Sequence, residues 1–243
     1  MPRFFVPKQE IGSSFLVLTG ENAAHAKVLR LKNGDDVTIC DGEGTDYICT
    51  VSDVANGQIS LVVHSADPSQ SEPKVACSVY MAFAKADKFE HVIQKATELG
   101  AAELVCFPSV RCVSRPDEKS LVKKLDRWQK IAASAAEQSR RGRIPQVIAL
   151  PSYSSALARA AEADLAVCFY ENEEQLTFRA AIEAAPFQTA SLLTGPEGGF
   201  EPEEIRQALS AGLKICTLGS RILRCETAPL CALSALMYAA GEF

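Results

Sequence analysis

The sequence predicts a parallel α/β domain preceded by a small β-barrel, and three observations predict it. Residues 1–66 read as short β-branched or aromatic-rich runs broken by turn residues. A polar segment with two prolines follows, Asp67-Pro68-Ser69-Gln70-Ser71-Glu72-Pro73, which has the composition of a linker. Beyond it near-continuous apolar runs alternate with helical patterns, the signature of a parallel sheet covered on both faces. The domain boundaries that follow are residues 1–70 and 74–243.

In the first part the expected strands are Ser14 to Leu18, Asp36 to Cys40, Tyr47 to Val51 and Gln58 to Val63, with one helix at about Glu21 to Leu31. Asn33-Gly34-Asp35, Asp41-Gly42-Glu43-Gly44 and Asn56-Gly57 supply the turns. In the second part the strands are Val75 to Phe83, Leu104 to Phe107, Gln146 to Leu150, Leu165 to Phe169, Ser191 to Leu193 and Lys214 to Leu218. Helices are expected at 87–99, 117–140, 152–163, 173–184, 202–211 and 227–240. In the first of these Phe89, Val92, Ile93, Ala96 and Leu99 recur at helical spacing, and Gly100 closes it. In the second, Leu121, Leu125, Trp128, Ala132 and Ala135 form an apolar stripe opposite a basic one of Lys119, Lys123, Arg127 and Lys130.

Composition narrows the class of protein. The nine cysteines are odd in number and never closer than six positions, with no Cys-x-x-Cys, which argues against a disulfide framework and a zinc knuckle. Three histidines give little support to metal chemistry, so no metal is expected. Reduced thiols, no secretory leader pattern and no long apolar run point to a cytoplasmic protein without a membrane span. The net charge is −5, yet residues 111–143 hold ten Lys and Arg against four acids. Charge alone does not separate a polyanion-binding face from a solvated helix face.

Two segments carry the chemistry. In Thr194-Gly195-Pro196-Glu197-Gly198-Gly199-Phe200-Glu201-Pro202 a buried strand ends in a loop with three glycines before a helix with proline in its first turn. No Gly-Lys-Ser/Thr is present, and Glu197 would repel a phosphate, so the loop suits hydroxyls, a neutral base or a cationic centre. In Leu218-Gly219-Ser220-Arg221-Ile222-Leu223-Arg224-Cys225-Glu226-Thr227-Ala228-Pro229 a strand again ends at glycine and two arginines flank an apolar pair. Open parallel sheets bind ligands at the carboxyl ends of their strands, so the two loops are expected to share one pocket. An ordinary tight turn at the first loop and helix capping by Glu226 and Thr227 remain the plain alternatives.

These two segments resemble the knotted SPOUT class of methyltransferases and, more narrowly, the ribosomal RNA small subunit methyltransferase E family. His25 with Val28-Leu29-Arg30, Lys88 and Lys95 with Glu98-Leu99-Gly100, Arg111, Trp128-Gln129-Lys130-Ile131-Ala132 and Glu137-Gln138 extend the resemblance over most of the chain. Val110 and Cys225 depart from it, standing where the family pattern has a glutamate and a threonine. Val110 leaves open how Arg111 is held.

The resemblance implies a PUA-like barrel that helps to hold RNA, followed by an α/β domain whose C-terminal segment threads a trefoil knot. The periodicity gives no sign of a knot, and the resemblance alone implies it. It implies S-adenosylmethionine as cofactor, the N3 atom of a uridine in 16S ribosomal RNA of the small subunit as target, and a homodimer. The alanines 228, 232, 235, 239 and 240 suit a close-packed interface or packing within one subunit equally. The implied cofactor residues are Thr194, Gly195, Pro196, Glu197, Gly198, Gly199, Leu218, Gly219, Ile222, Leu223 and Thr227. Arg224 is implied to stabilise the uracil oxygens, with Glu226 or Glu197 as base. His25, Arg30, Lys88, Lys95, Arg111, Arg140, Arg141 and Arg143 are implied to contact RNA.

Other readings stay open from the sequence. One is a SPOUT methyltransferase acting on transfer RNA or a ribose 2′-oxygen, and another is an RNA-binding module without catalysis. A Rossmann dehydrogenase is disfavoured, because no glycine fingerprint follows the Val75 to Phe83 strand.

Overall fold

The computed structural model describes residues 1–85 and 87–243. It divides into two compact units: Met1–Glu72 with Ala136–Ile144, and Pro73–Ala135 with Pro145–Phe243.

The first unit contains β1 (Arg3–Phe5), β2 (Phe15–Leu18), α1 (Gly20–Val28), β3 (Asp36–Cys40), β4 (Thr45–Ala55) and β5 (Gln58–Pro68), with a 3-10 turn at Lys8–Glu10. The sheet order is β1-β3-β4-β5-β2; β1 runs parallel to β3 and the other pairs are antiparallel. No ladder joins β1 to β2 among the described residues, so the expected barrel is not closed by hydrogen bonds. The sheet nevertheless curls, because Phe4 and Val6 at one edge share a core with Leu16 and Leu18 at the other. Register shifts at Ile48/Cys49 and Val51/Asp53 supply the bend. The first strand went unseen in the sequence, since three residues carry too little alternation to register.

The proline-containing segment is not a free linker. Strand β5 runs on to Pro68, which pairs with Thr45. Its other neighbour, β2, reaches only Val62, so the proline lacks an N–H that no strand requires. Glu72 accepts hydrogen bonds from the Gly142 and Arg143 amides and an ion pair from Arg141 at 2.7 Å.

The second unit contains β6 (Ala76–Ala82), α2 (Lys88–Glu98), β7 (Glu103–Phe107), α3 (Glu118–Gln138, whose last turn belongs to the first unit), β8 (Gln146–Ala149), α4 (Tyr153–Ala160), β9 (Leu165–Phe169), α5 (Phe178–Glu183), β10 (Thr189–Thr194), α6 (Pro202–Ser210), β11 (Lys214–Cys216) and α7 (Ala228–Ala239). All six strands are parallel, in the order β11-β9-β10-β6-β7-β8. Period-two alternation sends Tyr80, Val105, Cys168 and Leu193 to the face packed by Tyr153, Ala156, Leu157 and Ala208. Helices α2 and α7 lie together, α7 against β6 and β10, and Phe89 meets Trp128 edge to face at 4.9 Å. Burial on both faces explains why these strands read as continuous apolar runs.

Candidate functional site at the carboxyl ends of three strands

Strand β9 lies between β10 and β11, so Phe169, Thr194 and Cys216 end side by side on one edge of the sheet. Their loops enclose a cavity of about 940 Å³, within the usual range for a cofactor pocket. Thr194, Gly195, Pro196, Glu197, Gly198 and Gly199 line it from β10, and Leu218, Gly219, Ile222, Leu223 and Arg224 from the segment after β11. The two glycine-containing loops therefore share one cleft.

The first loop is held from several sides. The Gly199 amide donates to the Pro196 carbonyl at 3.0 Å, closing a turn, and Gly199 has φ +68°. That φ favours glycine, and a Cβ at the position would push the exposed Glu171 carboxylate aside. Thr194 is buried and donates to the Tyr80 carbonyl at 3.1 Å, which locks the strand end. Arg111 donates from Nε to Glu201 at 2.7 Å and from a terminal nitrogen to the Gly198 carbonyl at 2.9 Å. This answers how Arg111 is held with valine beside it. The buried Glu204 accepts from the Val110 and Glu201 amides at 2.9 Å each. Arg111 is thus engaged with the loop through Nε and one terminal nitrogen, with its side chain 40% exposed.

The second loop has a more open wall. Arg224 is exposed there, and its guanidinium has no hydrogen-bond or ion-pair partner among the described residues. Ile222 is 86% exposed. Thr227 stands exposed at the N-terminus of α7 and makes no side-chain cap; it is not among the residues that line the cavity, although Cys225 and Ala228 are. Glu226 does not line the cavity either, but its carboxylate lies 3.2 Å from Lys88 Nζ.

Lys88 joins the two loops. The resemblance lists it with the RNA contacts, and in the fold it lines the cavity, 3.5 Å from Glu197 as well. Burial lowers its pKa, but the Glu226 hydrogen bond and nearby negative charge outweigh this and hold it above the ordinary lysine value. Burial likewise pushes the Glu197 carboxyl up, while the Lys85 amide and the Lys88 charge bring it below its usual value. Glu226 is depressed in the same way, against burial, by backbone, Cys225 and Lys88 contacts. The Cys225 thiol, raised to about 11 by burial, donates to Glu226 at 3.2 Å and accepts from Lys88 at 3.6 Å. A thiol here supplies the donor and acceptor that a threonine hydroxyl would.

Sequence reasoning missed the third wall, Tyr170, Glu171, Glu173 and Glu174 after β9. The signal was present, since Leu165 to Phe169 is an apolar parallel strand and its carboxyl end falls under the same rule. With Glu197 they bring four carboxylates to a lining that also holds Lys88, Arg221 and Arg224, so acidic groups are available to a cationic centre beside basic ones. A sulfonium nucleoside fits this donor set, and the glycines let backbone approach it closely.

The remaining implied RNA contacts lie elsewhere. Arg30 and Arg140 are exposed residues with positive φ, and Arg143 is exposed. His25 faces Glu137 at 3.0 Å, and Lys95 pairs with Glu98 at 2.8 Å. Arg141 corrects the list: it is only 4% exposed and bound to Glu72, so its charge is spent inside the protein. Lys119, Lys123, Arg127 and Lys130 are all exposed on α3, as their spacing predicted. Among the described residues no helix is long and apolar enough to cross a membrane, and no His, Cys, Asp and Glu group is arranged to hold a metal.

Residues 71–237 match the family described as RNA methyltransferase domain, and residues 18–63 the one described as RNA methyltransferase PUA domain. The chain is 36% identical to a ribosomal RNA small subunit methyltransferase E of Bacillus subtilis (strain 168), over 98% of this chain and 96% of that one. It is 34% identical to the protein of the same name from Mesomycoplasma hyopneumoniae (strain 232), over 95% and 96%. Among solved structures it is similar to a ribosomal RNA small subunit methyltransferase E from Neisseria gonorrhoeae bound to S-adenosyl methionine. That match has a TM-score of 0.86 and 28% identity, covering 98% of this chain and 97% of the other.

Proposed function

The chain belongs to the ribosomal RNA small subunit methyltransferase E family, and from that premise and the geometry of the three loops we propose that it methylates uridine N3 in 16S ribosomal RNA, using S-adenosylmethionine. The observation that carries the reading is the cavity where two glycine loops and the post-β9 loop meet. When bound, the cofactor supplies an electrophilic methyl group on a cationic sulfur.

The protein's residues do the rest. The Gly195–Gly199 turn, braced by Arg111 and Glu204, and the Leu218–Leu223 segment offer backbone groups that orient the donor. Alignment of two reactants alone removes several kcal/mol from such a barrier. The uracil N3 proton is weakly acidic, so negative charge must be stabilised as it leaves. Arg224 takes this role at the uracil oxygens, a reading supported by its exposed, unpaired guanidinium at the cavity wall. Glu197 and Glu226 are the proton-acceptor candidates. Both are tied to Lys88, which weakens each as a base and puts more of the burden on Arg224.

RNA is held through His25, Arg30, Lys95, Arg140, Arg143 and the α3 basic stripe. The active species is a cytoplasmic homodimer with a knotted C-terminal segment, a reading supported by family membership. The outward face of α7, with Cys231, Ala235, Tyr238 and Ala239 exposed, supports the dimer. The experiment is tritiated methyl transfer to small subunits from a deletion strain, followed by nucleoside mapping. Label at uridine N3 is expected; label on transfer RNA or a ribose oxygen, or none, overturns the reading.

A further inference from the structure

Lys88, at the start of α2, is the one side chain whose polar contacts include both a residue of the β10–α6 loop and residues of the β11–α7 loop, among the described residues. Its Nζ lies 3.5 Å from Glu197, 3.2 Å from Glu226 and 3.6 Å from the Cys225 sulfur. The strands that precede these loops are not neighbours, because β9 runs between them. No ladder hydrogen bond therefore joins the two walls directly, and a single ammonium does so instead. Its side chain is 28% exposed, which leaves the contacts only partly screened by water. Without the cation, the Glu197 and Glu226 carboxylates would face one another across the gap with no positive charge between them.

The arrangement also conserves what the cavity needs. One ammonium and two carboxylates leave a net negative charge, so the walls are joined without turning the pocket against a cationic ligand. An RNA phosphate approaching Lys88 would meet both carboxylates.

We propose that Lys88 is a positioning residue that clamps the two cofactor walls together through Glu197 and Glu226, rather than a contact to RNA; this rests on the cofactor reading above. Calorimetric titration with S-adenosylhomocysteine in the absence of RNA tests it. Lys88→Met should raise the Kd about tenfold, while Lys88→Arg, which keeps the charge, should stay within about threefold of the wild-type chain. In turnover assays Lys88→Met should raise KM for S-adenosylmethionine and leave KM for small subunits unchanged. An unaltered Kd for S-adenosylhomocysteine, with a raised and salt-sensitive KM for subunits, overturns the clamp and restores the phosphate role. A wild-type chain giving no heat overturns the cofactor reading itself and the clamp with it. If circular dichroism shows Lys88→Met unfolded, Glu197→Gln and Glu226→Gln carry the test. Each should weaken binding, and the double variant by less than the product of the two; fully multiplicative losses overturn the clamp.

Discussion

Arg111 and Glu201, ninety positions apart, are joined by a 2.7 Å hydrogen bond from the guanidinium Nε to a carboxylate oxygen. The same guanidinium holds the Gly198 carbonyl, so the pair pins the glycine turn to the segment that opens α6. Both side chains are well exposed, at 40% and 38%, and exposed pairs contribute little to global stability.

Arg111→Ala is therefore expected to cost less than about 1 kcal/mol of unfolding free energy. Its effect should fall on the loop instead, with cofactor affinity reduced about fivefold. Urea unfolding and S-adenosylhomocysteine calorimetry on one preparation check both. A large loss of stability with affinity unchanged would contradict the loop role.

Gly199→Ala meets both an unfavourable φ and the Glu171 carboxylate. The backbone strain alone costs about 1–2 kcal/mol, and relieving the clash turns the exposed Glu171 carboxylate away from the loop it lines the cavity with. Cofactor affinity should fall tenfold or more. Gly212→Ala is the control, with φ +94°, open space around it and no place in the cavity lining. It should show the strain without the binding defect.

Arg141 and Arg140 are adjacent in sequence and opposite in role. Arg141→Ala leaves Glu72 with only the Gly142 and Arg143 amides in a nearly buried position and should destabilise by about 3 kcal/mol. Arg140→Gln should leave stability unchanged and reduce the salt dependence of RNA binding by about 0.7–0.9 in the log–log slope. Thermal unfolding and filter binding across salt concentrations separate the two.

The depressed carboxyls give a pH signature. Glu197 and Glu226 have folded pKa values below the ordinary 4.5. The stability they contribute is fully present above pH 4.5 and is lost as pH falls through their folded values. Denaturant unfolding from pH 6 down to pH 3 should show a steeper loss for the wild-type chain than for Glu197→Gln. Equal slopes would show that the carboxyl is not held by its Lys88 and Lys85 contacts.

Much of this was legible in the residues themselves. Strand–helix alternation gave the parallel sheet, and the two glycine loops were placed in one cleft, because both signals are local. An apolar run reports burial of its own strand, and a glycine before a helix reports its own turn. The post-β9 wall was missed although its signal was equally local; Glu171 and Glu174 simply match no familiar motif. Strand β1 was missed for its length.

Side-chain partnership was the part that local pattern does not carry. Lys88, Arg111 and Arg141 look alike in sequence as basic residues without an evident partner, yet each lies against a carboxylate or carbonyl brought near by the fold. Their partners Glu226, Glu201 and Glu72 lie 69 or more positions away. The chain's own order of residues decided which loops form and what chemistry they offer; tertiary folding decided which charges are already spent. A charge acts on whatever lies within a few ångströms, and only the packed chain sets those distances.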